Sequence, residues 1–112
     1  MKTFTAKVIN DNSAIEVKYS PWVSSKGYKK LLVNAYSDLG GGLYVYGTSL
    51  KDGAGNPTGG AELASVSWAS GGTWTYVFSF VIAYDYVRVL IDSSTTPGSN
   101  NGIAYLTLAD EV

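Results

Sequence analysis

Along this chain of 112 residues, apolar and polar residues alternate in short runs, and nowhere do apolar residues recur at helical spacing for three turns. The runs are rich in Val, Ile, Thr, Tyr and Phe and are separated by glycine-rich punctuation, which predicts strands joined by turns. Eight strands are expected: Thr3–Asn10, Ala14–Ser20, Tyr28–Ser37, Gly42–Ser49, Ala61–Trp68, Thr73–Ile82, Tyr84–Asp92 and Gly102–Ala109. Between them, the clusters at 10–13, 38–42, 70–73 and 99–102 supply residues that tolerate positive φ or close turns through side-chain hydrogen bonds. Two longer connections, 50–60 and 93–102, are almost free of apolar residues and belong at the surface.

Period-two patterning also sorts the faces. Leu31, Val33 and Ala35, then Leu43 and Val45, then Val87, Val89 and Ile91, then Ala104, Leu106 and Leu108 make the inward set. The run from Trp74 to Ile82 is apolar on both sides, which suggests a central strand. Short antiparallel strands with no helix fit an all-β, jelly-roll-like sandwich of two sheets, and the length suits a single domain spanning residues 1–112.

Opposite the aliphatic sets lie Leu32, Asn34 and Tyr36, then Tyr44, Tyr46 and Thr48, then Tyr86, Arg88 and Leu90, then Ile103, Tyr105 and Thr107. Tyrosine couples a flat apolar ring to a polar tip, so an outward row of rings suits ordinary sheet pairing, a protein interface or a sugar-stacking platform alike. Composition shifts the balance toward an interface. Only 15% of residues are charged, against about 25% in an ordinary globular chain, and a surface this poor in charge favours association. The candidate contact residues are Tyr36, Tyr44, Tyr46, Tyr86, Arg88 and Tyr105, with Phe4 in an N-terminal arm around residues 2–4. Arg88, the only arginine, is expected to pair with Asp85 or Asp92.

Several kinds of chemistry are excluded or disfavoured. The chain has no histidine and no cysteine, so serine triads, histidine-zinc sites, thiolate metal sites and disulfides are all out. Most acids sit beside turn residues, where capping explains them, and no enzyme is expected. Asp52 and Asn56 could ligate a hard cation, but the loop lacks the further acids of a dedicated calcium site. The triple glycine 40–42 has no lysine or helix after it, so it is no phosphate loop. No cofactor is expected. A net charge of -1 offers no field for nucleic acid. The stretch 76–91 carries Asp85 and Arg88 and alternates, unlike a membrane span, and the alternating start MKTFTAKVIND is not that of a secretory signal.

The runs KGYKKLLVNAYSDLGGGLYVYGTSLKDG and FVIAYDYVRVLID resemble the small β-sandwich domains of the discoidin and galactose-binding fold. The pattern as a whole also resembles virion structural proteins of tailed bacteriophages, in which such sandwiches serve as capsid decoration or cement subunits. That resemblance implies a protein assembled in the host cytoplasm onto a virion, with the major capsid protein as partner and a homo-oligomeric state, for instance a trimer. A carbohydrate- or receptor-binding module and a tail or baseplate subunit are the alternatives.

Overall fold

The computed structural model of the chain describes residues 2–11, 17–37, 41–68, 74–82, 84–92 and 102–111, and for residues 11, 36, 37, 68 and 74–80 the description is of the backbone alone. Nine strands run through these residues: β1 (Thr3–Asp11), β2 (Val17–Tyr19), β3 (Val23–Ser24), β4 (Lys30–Ser37), β5 (Gly41–Thr48), β6 (Ala61–Trp68), β7 (Trp74–Val81), β8 (Tyr86–Asp92) and β9 (Gly102–Ala109). They form two antiparallel sheets, one in the order β1-β9-β4-β7 and the other in the order β2-β8-β5-β6, with β3 also paired to β8. Most connections cross from one sheet to the other, as in a jelly roll. The β5–β6 connection stays within its sheet.

The inward set assigned from alternation forms the core. Leu31, Val33, Leu43, Val45, Val87, Val89, Leu106 and Leu108 are wholly buried, joined by Ala35, Ala104, Ile91, Ile9 and Ile82. These residues come mainly from β4 and β9 of one sheet and β5 and β8 of the other, the strands with neighbours on both sides. Each fully buried branched aliphatic contributes about 1.5–3 kcal/mol of transfer free energy, so the four inner strands carry most of the fold.

Three expectations are corrected. β7 lies at an edge, with β4 as its neighbour, because β9 inserts between β1 and β4. Apolarity on both faces reports what covers a strand above and below. It says nothing about hydrogen-bond neighbours to either side, which decide centrality. The second strand is shorter than expected, and the chain re-enters the same sheet as β3. Thr48 and Leu90, both assigned outward, are 2% and 8% exposed. Thr48 is buried because its hydroxyl donates to the carbonyl of Thr58 at 2.8 Å and accepts the amide of Leu50 at 3.1 Å, which ties the 50–60 loop down. Leu90 sits in register between Tyr19 and Tyr44. The turn at 70–73 and most of the 93–102 connection fall outside the described residues, as do parts of the 10–13, 38–42 and 99–102 turns.

Candidate aromatic binding face

The short edge strands build the site. Val17–Tyr19 pairs with the end of β8, and after three intervening residues Val23–Ser24 pairs with its start. Pro21 between them has no N–H to donate, so the ladder would break at the middle of β8. Ser20 closes the gap. Its amide donates to the Val89 carbonyl at 2.8 Å, and its Oγ accepts the Val89 amide at 2.8 Å while donating to the Pro21 carbonyl at 2.9 Å. The chain thereby stays on the sheet while carrying Trp22 onto the arginine of β8.

Trp22 lies close over Gly60, which has a φ of 132°, a conformation that side-chain-bearing residues rarely adopt; a Cβ there would stand 3.2 Å from the indole. The Arg88 guanidinium is packed against three rings, 4.6 Å from the centroid of Trp22, 5.1 Å from Tyr19 and 6.0 Å from Tyr46. Among the described residues Arg88 forms no ion pair, so the expected pairing with Asp85 or Asp92 gives way to cation–π packing. Its Nε is buried with no hydrogen-bond partner.

Across β5, the rings of Tyr44 and Tyr46 stack with centroids 6.3 Å apart and planes 19° from parallel. Tyr44 can lie this low because Gly42 is beneath it, where a Cβ would come within 2.8 Å of the ring. Register places Tyr46 between Arg88 of β8 and Glu62 of β6. Burial, then the neighbouring Glu62 and the rings of Tyr44 and Tyr19, hold the Tyr46 hydroxyl above the usual tyrosine range, with Arg88 pulling the other way. One residue row thus runs acid, ring, base across three strands.

The candidate contact residues divide between two faces. Tyr44, Tyr46, Tyr86 and Arg88 come together on the outer face of the β2-β8-β5-β6 sheet. Tyr105 belongs to the opposite sheet, where Lys7 Nζ sits 5.3 Å from its ring centroid. Tyr36 pairs there with Ile103, and its side chain lies outside the description. Phe4, 42% exposed, stands in register with core residue Leu108 on the edge strand β1, so it faces the inner layer at the rim and belongs to no arm. Asp52 closes a turn: its Oδ1 accepts the amides of Ala54 at 2.9 Å and Asn56 at 3.0 Å. Among the described residues no group of three or more side chains is placed to hold a metal ion, and no helix is long and apolar enough to cross a membrane.

Tyr19, Trp22 and Glu62 were not singled out from sequence. The available signal was a tryptophan directly after a proline in the stretch YSPWVSS, an expensive ring in what reads as a linker.

The architecture is that of an antiparallel β-sandwich. No protein-family profile and no curated protein matches the chain, but solved structures share its fold. The exported protein XepA of PBSX superposes with a TM-score of 0.70 at 16% identity, covering 97% of this chain and 38% of XepA. The SPBc2 prophage-derived protein YomS gives 0.58 at 12% identity, covering 96% and 94% of the two chains. The C-terminal CBM6 of LamC from Zobellia galactanivorans gives 0.51 at 14% identity, covering 95% and 99%. This chain therefore spans about two fifths of XepA and nearly all of the other two, and at these identities the likeness is one of fold.

Proposed function

We propose that the protein is a non-catalytic binding module of a bacteriophage or prophage particle, and that the outer face of the β2-β8-β5-β6 sheet holds a saccharide. The observation that carries the proposal is the near-parallel Tyr44–Tyr46 pair, with Tyr46 in register between Arg88 and Glu62. A pyranose offers a flat C–H face that stacks on tyrosine, and hydroxyls that both donate and accept hydrogen bonds. Glu62 would accept from such hydroxyls and Arg88 would donate to them, while Tyr19 and Trp22 hold the guanidinium in place. The prophage origin of XepA and YomS and the carbohydrate-binding module among the fold's neighbours support the two halves of this reading. The purified protein is expected to bind saturably on a glycan array, with affinity falling at least about tenfold in Tyr44→Ala and Tyr46→Ala. A blank array, or binding indifferent to both substitutions, rejects it.

A second reading, capsid decoration, draws on a separate observation. The outer face of the other sheet exposes Val81 by 63% and Tyr105 by 41%, with Phe4 42% exposed at its rim, in a chain with little charge to solubilise it. As a cement protein, a homo-oligomer such as a trimer would bury that sheet against the major capsid protein and stabilise the lattice by mass action. Sedimentation of the protein with expanded capsids tests it.

A further inference from the structure

We infer that the saccharide taken by this face bears carboxylates, so that the ligand is an acidic glycan with uronic-acid residues and not a neutral one. The inference rests on the saccharide reading above and narrows it. Three cations gather on the β3–β8 side of the aromatic platform. Lys26 Nζ and Lys51 Nζ lie 5.7 and 5.6 Å from the centroid of one ring, that of Tyr86. Arg88 follows two residues on, on the same face of β8, about 7 Å along the strand. Among the described residues none of the three forms an ion pair.

The nearby acids are engaged or set apart. The Asp52 carboxylate caps its own turn, and Glu62 stands on the far side of Tyr46 from Arg88. Asp85 directly precedes Tyr86 in the chain, and its printed hydrogen bonds are made by its backbone. The face is therefore polarised, with cations at one edge and an acceptor at the other. A uronic acid matches that polarity: its ring stacks on Tyr44 and Tyr46, its carboxylate meets the Arg88 fork and the lysines, and its hydroxyls reach Glu62. A neutral hexose would leave the cationic edge without a counterpart.

The test compares polygalacturonate with its methyl ester, which keeps the ring and erases the charge, alongside dextran sulfate and a neutral glucan, by titration calorimetry at fixed salt. Polygalacturonate is expected to bind at least about tenfold more tightly than the ester. The double substitution Lys26→Gln, Lys51→Gln, at two exposed positions, is expected to remove most of that preference and leave the circular dichroism spectrum unchanged. Equal affinity for acid and ester overturns the inference and leaves the saccharide reading standing. Failure to bind any of the four overturns both. Tight binding of dextran sulfate and polygalacturonate alike, undiminished by Tyr46→Ala, marks attraction by charge alone and also overturns the inference.

Discussion

Arg88 is the residue on which the face turns, and its energetics are a balance of opposed effects. Packing on three rings is worth about 1–2 kcal/mol for a desolvated guanidinium, while its buried Nε without an acceptor costs about 1–3 kcal/mol. Arg88→Leu keeps the apolar contact and removes both. It is therefore expected to change the unfolding free energy in urea by less than about 1 kcal/mol while abolishing glycan binding, a separation that a purely structural arginine would not show. Tyr46 gives a second readout. Its hydroxyl is raised in the folded protein, chiefly by burial and then by Glu62. The associated stability is fully present below the unfolded value of about 10 and is lost as pH rises through the folded value. NMR titration of labelled tyrosine should find Tyr46 titrating late, moved lower by Glu62→Gln and higher by Arg88→Leu. Tyr44, Tyr46, Tyr86 and Arg88 were legible in the sequence because period two fixes the face of each. Arg88's surroundings were not, since no spacing rule reports which rings a long side chain will lie against, and the nearest acids in the chain suggested an ion pair instead.

Within single elements, local pattern and sheet neighbourhood behave as separate kinds of information. Alternation located the long strands and the buried face of β4, β5, β8 and β9 residue by residue, because burial of one face is written in each strand alone. It could not place β7 at an edge, since that follows from β9 entering between β1 and β4, a long-range event. Nor could it see β3: two residues carry no periodicity, and Pro21 reads as a strand end. The dependence of that junction on one hydroxyl is testable. Ser20→Ala leaves the buried Val89 amide without the Oγ acceptor, so a loss of about 1–3 kcal/mol in urea unfolding is expected, together with weakened binding as Trp22 loses its anchor. Gly42→Ala should separate the two effects in the opposite sense. The added Cβ meets the far edge of the Tyr44 ring, an adaptable side chain. Stability should fall by no more than about 1 kcal/mol, whereas glycan affinity falls because the Tyr44–Tyr46 stack is displaced.

At the scale of the molecule, the sandwich separates its two outward surfaces by the full thickness of both sheets, whose backbones alone lie about 10 Å apart. Side chains so separated and without shared partners perturb one another little. Saccharide binding and particle docking therefore make distinguishable demands on one chain. Tyr105→Ser with Val81→Ser alters the β1-β9-β4-β7 face, where both residues are substantially exposed and neither contributes to the core. That pair is expected to leave glycan affinity within about twofold. If the same face is buried against a capsid, the pair should lower capsid occupancy in co-sedimentation while Tyr46→Ala leaves occupancy unchanged. Reciprocal loss, with glycan affinity falling in the first variant or capsid occupancy falling in the second, would mean that one surface serves both roles, and the separation of faces drawn from the register of the two sheets would have to be abandoned.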